Sequence, residues 1–376
     1  MKDEIPFNSA VLGSQEFEHL TRAINGSHIS GGGPFTREAE LLLSQMHGSG
    51  RSLLTTSCTH ALELAGRLLN LQEGDEVIVP SFTFVSTAAA FMLSGARPVF
   101  ADVRPDTLNL CPDSVERLIN DKTRAVCIVH YAGVAAEPER FSSLCQERGL
   151  TLIEDNAHGL GGSCGGRALG TFGQMSTMSF HETKNVTCGE GGALHLNDPD
   201  LIERAEILRE KGTNRSRFFR GQVDKYTWVD VGSSWVMSDM LAAVLVAQLK
   251  RFSEIQDRRM RIWSQYRESL MDWSVSNGVK LPTIPRGVEH TAHMFYLRLP
   301  DLETRTRFLA HLKSRGVNAV FHYQALHLSD VGRSLGGAVG DCPESERAAD
   351  DLVRLPLYWG LDERSQLRVV DAVTSF

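Results

Sequence analysis

The seven cysteines of this 376-residue chain are scattered from Cys58 to Cys342, and no two are spaced C-x-x-C. That excludes the common zinc and dithiol redox motifs. The chain also lacks a basic tract; with a net charge of -7 and a pI of about 6.0, nothing electrostatic draws it to nucleic acid. No apolar run reaches the length of a bilayer span. The opening residues, MKDEIPFNSA, carry charges where a signal peptide needs an apolar core. We therefore expect a cytoplasmic protein with neither a membrane nor a nucleic-acid partner. Tandem repeats and low-complexity segments are missing too. So is a G-x-G-x-x-G at a strand-to-helix turn, since the glycines at 161–166 follow the wrong elements for a dinucleotide site.

What is present is ordinary for a globular protein: 42% hydrophobic and 23% charged residues. The length fits one large domain and a smaller one. We expect the large domain, with an N-terminal arm, over 1–250 and a small C-terminal α+β domain over 251–376.

From residue 51 the pattern alternates. Short apolar runs at 51–56, 76–80, 98–102, 125–130 and 151–155 read as strands, and the segments at 59–69, 84–93, 113–120 and 138–148 between them read as helices. Two further strands are expected at 175–180 and 192–197, a helix at 200–211, and one long helix from Met240 to about Tyr266. Strict alternation predicts an α/β fold, a mostly parallel central sheet with helices on both faces. The stretch 211–234, KGTNRSRFFRGQVDKYTWVDVGSS, breaks the pattern. A polar loop of that length inside a compact chain is usually functional or part of an interface.

In such sheets ligands bind outside the carboxyl ends of the strands. Thr55-Thr56-Ser57-Cys58-Thr59 is a strand, a small polar turn and a helix start, which offers free N–H groups and a positive dipole end to an anion. The plainer alternative is that Ser57 or Thr59 is only an N-cap. Asp155, ending an apolar strand, could cap a turn, bind metal or pair with a cationic ligand. A lone His158 is more often a core residue than a ligand, and no carboxylate–histidine cluster suggests a metal site. Lys184 alone would read as a surface lysine. The set changes the reading: anion cradle, Phe84, Asp155 and Lys184 follow in that order, each at a strand end. Pyridoxal phosphate (PLP) needs those contacts: a helix N-terminus for its phosphate, an aromatic for its ring, a carboxylate for its pyridine nitrogen and a lysine for its aldehyde.

With these motifs in place, the chain resembles the DegT/StrS-type sugar aminotransferases, fold-type I PLP enzymes, over nearly its whole length. The likeness is carried by PSFTFVSTAAAF (80–91), IEDNAHG (153–159), SFHETKNVTCGEGGA (179–193), REKGTNRSRFFRGQVDKYTWVDVGSSWVMSD (209–239) and AVFHYQALH (319–327). The resemblance implies that Lys184 is the Schiff-base lysine and that Asp155 pairs with the pyridinium nitrogen. Phe84 takes the ring-stacking position, Ser57, Cys58, Thr59 and Ser179 hold the phosphate, and His158 lies beside the cofactor. It places His181, His322 and Tyr323 with the substrate. It also implies a homodimer in which the 211–234 segment crosses to the partner's site, bringing Arg215, Arg220, Lys225 and Tyr226 to the nucleotide sugar and Ser233 and Ser234 to the phosphate. At Ser234 many relatives have an asparagine, and the shorter hydroxyl departs from that pattern. The plain alternative for the segment is a solvated surface loop.

The reaction implied moves an amino group, from glutamate in the first instance, to a nucleotide-linked keto sugar. The resemblance points to dTDP-4-keto-6-deoxyglucose; a 4-keto pentose or a 3-keto sugar is the alternative. PLP-dependent sugar dehydratases of this fold typically carry histidine in place of the lysine, and this chain keeps Lys184. A PLP-binding regulator would need an added DNA-binding domain, for which we expect no room at either terminus.

Overall fold

The computed structural model describes residues 4–376; the first three residues of the expected N-terminal arm lie outside it. Two helices, α1 (Ser14–Asn25) and α2 (Pro34–His47), precede the alternating part. There follow β1 (Arg51–Thr55), α3 (Cys58–Leu68), β2 (Glu76–Pro80), α4 (Ser86–Leu93), β3 (Arg97–Ala101), α5 (Pro112–Leu118), β4 (Thr123–Val129), α6 (Pro138–Arg148) and β5 (Thr151–Asp155). The chain continues through the two-residue strands β6 (Ser163–Cys164) and β7 (Arg167–Ala168) to β8 (Met175–Ser179) and β9 (Gly192–Leu196).

These strands form a seven-stranded sheet in the order β1-β9-β8-β5-β4-β2-β3. Every pair is parallel except those of β9, which runs antiparallel to β1 and β8. The sheet is covered on both faces, which is why its strands read as unbroken apolar runs. Val77, Val79, Ala125 and Cys127 pack with Ala61, Leu62 and Phe91 of α3 and α4. Their sequence neighbours Ile78, Val126 and Ile128 point the other way, onto Val115 of α5 and Phe141 of α6. Burying a side chain of this size contributes roughly 1.5–3 kcal/mol, so this two-sided core fixes the sheet and with it the height at which each strand ends.

After β9 come α7 (Ile202–Arg209), α8 (Arg215–Phe219), α9 (Asp239–Lys250) and α10 (Phe252–Ser276). The single long helix expected from Met240 to Tyr266 is two helices. They break at Arg251, whose backbone sits at φ -100°, ψ 12°. Its side chain bonds Glu254 at 2.9–3.0 Å and, across to α1, Glu16 at 3.1 Å. The break is a tertiary feature; nothing in the apolar spacing marks it. The remaining elements are β10 (Val288–Glu289), β11 (Phe295–Arg298), α11 (Leu302–Ser314), α12 (Asp330–Ser334), α13 (Pro343–Asp351), β12 (Leu352–Leu355) and α14 (Glu363–Thr374). The β11–β12 ribbon packs its own core from Tyr266, Leu270, Phe295, Leu297, Phe308, Leu312, Val369 and Val373. Ile5 joins that core, and its N–H donates to Gly316 O at 2.8 Å. The N-terminal segment is thereby tied down so that Phe7 and Asn8 reach the sheet edge.

Candidate active site

β1, β5 and β8 run in one direction, so Thr55, Asp155 and Ser179 end at one edge of the sheet, where the antiparallel β9 begins at Gly192. A cleft of about 720 Å³ opens there, and its lining includes Ser57, Cys58, Thr59, Phe84, Asp155, His158, Ser179, His181, Lys184, His322 and Tyr323. Eleven of the residues singled out in the sequence thus line one cavity, from segments as far apart as 57 and 323.

The anion cradle is the first turn of α3. Ser57 is its N-cap, with Oγ accepting from His60 N–H at 3.1 Å and its carbonyl from Ala61 N–H at 3.1 Å. Ser57 caps, as the plainer reading has it, and the N–H groups of Cys58 and Thr59 have no acceptor within the helix and stand at the cleft. Gly192 packs directly against this turn, and a Cβ there would collide with the backbone of Ser57 and Cys58. Of the GEGG glycines, Gly192 is thus explained by close packing against the cradle, Gly191 by packing against Met237 and Cys188, and Gly189 by its positive φ of 90°.

β5 ends in two buried carboxylates that face opposite sides of the strand. Glu154 is fully engaged. His130 Nε2 bonds it at 2.8 Å, and the N–H groups of Gly170, Phe172 and Gly173 donate to it at 2.6–2.8 Å. Burial alone would raise its pKa, but these donors hold it below the usual carboxylate range. Asp155 is different. Thr87 Oγ1 donates to it at 2.8 Å and Ala157 N–H at 3.2 Å, and among the described residues it forms no ion pair, Lys184 and His130 acting on it only at longer range. Burial dominates and pushes its pKa up. It is a buried carboxylate on the cleft wall.

Lys184 lies in the turn between β8 and β9, where its N–H donates to His181 O at 2.9 Å. Its pKa falls from 10.5 to about 8: loss of water is the largest cause and Arg354 adds to it, while Cys58 and Asp155 oppose the shift. That brings a nucleophilic neutral amine within reach of ordinary pH. His158 stacks on His293 with ring centroids 4.1 Å apart, and its buried Nδ1 has no hydrogen-bond partner. Burial keeps both rings well below the ordinary histidine range, so both are neutral. Phe84 is half exposed at the cleft mouth, its ring centroid 6.3 Å from that of Tyr323. Tyr323 in turn stacks on His322 at 3.5 Å, and Tyr131 OH bonds His322 Nδ1 at 2.7 Å.

The chain matches the model of the DegT/DnrJ/EryC1/StrS aminotransferase family over residues 11–374. The chain belongs to that family, and it is an aminotransferase. It is 34% identical over 376 residues to the dTDP-4-dehydro-2,3,6-trideoxy-D-glucose 4-aminotransferase of Saccharopolyspora spinosa, covering 98% of this chain and 95% of the relative. Among solved structures it is similar to the aminotransferase TlmJ of Streptoalloteichus hindustanus, with a TM-score of 0.90 and 32% identity over 99% of this chain and 98% of that one. It is also similar to DesV of S. venezuelae in complex with a ketimine intermediate, with a TM-score of 0.91 and 29% identity over 100% of this chain and 98% of that one. The fold and family expected from the motifs are those found.

The 211–234 segment does not join this cleft within one chain. It is not wholly irregular: α8 sits inside it, and isolated bridges pair Thr213 with Trp228 and Glu210 with Ser234. Arg215 bonds Glu210 at 2.8 Å and Arg220 bonds Glu206 at 2.7 Å, both on their own subunit. Lys225, Tyr226, Ser233 and Ser234 are exposed. Five residues in or behind the site carry no weight in the sequence reading: Thr87, which orients Asp155; Glu154 with its partner His130; His293; and Arg354. Only Thr87 has a local signal, one helical turn beyond Thr83 in PSFTFVST, and the two hydroxyls bond at 3.0 Å.

Proposed function

We propose that this family member is a PLP-dependent sugar aminotransferase, moving an amino group from an amino acid such as glutamate to a nucleotide-linked keto sugar, with dTDP-4-keto-6-deoxyglucose the first candidate. The observation that carries the reading is a cleft holding an unpaired buried carboxylate, a lysine of lowered pKa and a helix N-terminus together. These residues fit PLP. Asp155 lacks a cation, which a protonated ring nitrogen supplies, and the orphaned His158 Nδ1 suits the polar edge of the ring. The cradle at Cys58 and Thr59, with Ser179, takes the phosphate, and Phe84 covers the ring. When bound, PLP supplies an electron sink for the donor's α-carbon. Asp155 holds the ring nitrogen's proton. Lys184 Nζ would hold the cofactor's aldehyde and would move the proton at the donor's α-carbon. His181, His322 and Tyr323, at the open side, contact the sugar. The likeness to a dTDP-linked 4-keto sugar aminotransferase supports the nucleotide and the C4 position. The test is a panel of nucleotide keto sugars, dTDP-4-keto-6-deoxyglucose, a 4-keto pentose and a 3-keto sugar, incubated with enzyme, PLP and glutamate. Mass detection of a product in which =O has become –NH2 supports the reading, and no aminated product from any member of the panel contradicts it.

The working unit we propose is a homodimer with shared sites. Phe219, Tyr226 and Trp228 are exposed by 70%, 54% and 72%, more aromatic surface than an isolated loop leaves to water, and the segment's arginines suit phosphate. In this dimer the segment reaches the partner's cleft, with Arg215, Arg220, Lys225 and Tyr226 on the nucleotide and Ser233 and Ser234 on the cofactor's phosphate. Mixing a Lys184→Ala chain with an Arg220→Ala chain is expected to restore up to about a quarter of wild-type activity, since half of the dimers are mixed and each rebuilds one intact site of two. Mixtures that stay inactive, or a monomer in sedimentation, would contradict the shared site.

A further inference from the structure

Behind the cleft, three polar side chains join the end of β2 to the C-terminal part of the fold. Ser81, the residue after β2, is fully buried, His327 is 1% exposed, and neither lines the cleft. Ser81 Oγ bonds His327 Nδ1 at 2.6 Å, and His327 Nε2 donates to Glu346 Oε1 of α13 at 3.0 Å. The backbone doubles the link. Leu326 N–H donates to Ser81 O at 2.8 Å, and His327 N–H to Ser81 Oγ at 3.4 Å. Both ends are fixed in turn. Ser81 N–H donates to Ala101 O of β3 at 2.9 Å. Glu346 Oε1 also accepts Gly340 N–H at 2.7 Å, and Asp102 caps the start of α13 by accepting the N–H groups of Glu344 and Ser345 at 2.9–3.0 Å. The order serine, histidine, carboxylate is that of a nucleophilic triad, but a serine sealed from the cleft meets no substrate. Its work is to position.

What it positions is the segment 321–325. One end is pinned where Val320 and Arg354 of β12 exchange backbone bonds at 2.7 and 3.2 Å. The other end is pinned by the Ser81–His327 link. Between the pins stand His322 and Tyr323, both lining the cleft, their rings stacked at 3.5 Å. Phe84 follows Ser81 closely in the chain, and its ring meets that of Tyr323 at 6.3 Å. One anchor therefore sets the spacing across the open side of the cleft. We propose that Ser81, His327 and Glu346 are positioning residues for the keto-sugar acceptor, holding His322 and Tyr323 ready for the sugar. The inference rests on the sugar aminotransferase reading above and names the residues that preorganise one of its two half-reactions. A carboxylate only accepts hydrogen bonds, so Glu346 fixes Nε2 as a donor and orients the ring. Without the anchor, the segment would have to be ordered at the expense of the sugar's own affinity. Lys184, Asp155 and the cradle stand at the ends of β8, β5 and β1, which the anchor does not touch, so the amino-acid half-reaction is left alone.

The probe is dTDP-glucose, which has no keto group, titrated calorimetrically into the PLP-loaded enzyme beside dTDP. Ser81→Ala and Glu346→Ala are each expected to weaken dTDP-glucose about tenfold, the loss of a buried hydrogen bond that orphans its partner, and dTDP less than about twofold. Glu346→Gln, which keeps an oxygen for Nε2–H, should recover most of what alanine loses. Glutamate alone, followed by cofactor absorbance, should react with the alanine variants within about twofold of the wild-type rate, whereas a general structural defect would lower every readout together. Unchanged dTDP-glucose affinity in both alanine variants, an equal loss for dTDP, or an equally slowed glutamate step overturns the assignment. Hydrogen exchange is read without any ligand. Exchange of the 319–327 peptide should quicken in both alanine variants while that of the 179–193 peptide stays as it is, and unchanged exchange at 319–327 also overturns the assignment. A wild-type enzyme that binds no dTDP-glucose would sink the proposed sugar, and the exchange result would still decide whether the anchor holds His322 and Tyr323.

Discussion

Lys184→Ala is expected to lower turnover by more than about 10⁴-fold, since it removes the nucleophile and the proton carrier together. The fold has little stake in this side chain. Among the described residues no carboxylate lies within 4 Å of Nζ, and the turn is held by the backbone bond from Lys184 N–H to His181 O, which alanine keeps. The cradle at Cys58 and Thr59, the carboxylate of Asp155 and the ring of Phe84 all survive. The variant should therefore still bind PLP, without a covalent link. Wild-type capture of PLP adds a pH signature. The attacking form is the neutral amine, so the rate should rise with pH and level off above the Lys184 pKa of about 8, well below the 10.5 of a free lysine. A midpoint near 10.5 would show that the cleft does not desolvate this amine, and residual activity in Lys184→Ala within tenfold of wild type would remove it from the chemistry.

Asp155→Asn should lower kcat by roughly two to three orders of magnitude with a smaller loss of cofactor affinity. The amide keeps the shape and can still accept from Thr87 or Ala157, but it cannot hold a proton on the ring nitrogen, and the electron sink weakens. Stability should move the other way. Burial raises the pKa of Asp155 in the folded apo-protein, so above the unfolded-state value of about 3.9 its charge opposes folding. The cofactor-free variant should melt at or above the wild-type temperature at pH 7, a stability–function trade. A kcat near wild type, or a lower melting temperature together with lost PLP binding, would assign Asp155 a structural role.

Most of this site was legible because its parts sit at strand ends, and strand ends are marked by local sequence. Short apolar runs stop at Thr55, Asp155 and Ser179, and the polar turns that follow are short. What was not legible depends on contacts between distant segments. Nothing near Glu154 announces that His130 and the amides around Gly170 to Gly173 will occupy it and leave Asp155 as the free carboxylate. Arg354 reads as one more charge on a short strand until the β11–β12 ribbon packs and carries it to the cleft with Phe321 and Phe7. The false continuity of the 240–266 helix has the same origin. Leu249 and Phe252 keep the apolar pattern running, and only the contact of Arg251 with Glu16 on α1 shows where the axis breaks. Ahead of residue 51 the sequence reading names only an N-terminal arm, and the described residues there include α1 and α2; α1 packs an amphipathic face on α9, which precedes the break.

The central claim is that Lys184 is the residue that carries the cofactor, and peptide mapping tests it most directly. PLP-loaded enzyme is reduced with borohydride, digested, and searched by mass for the pyridoxyl group. The account predicts one labelled peptide, spanning the 179–193 turn with the modification on Lys184, and no label in Lys184→Ala. Label on any other lysine, or none on a protein that has bound PLP, contradicts it.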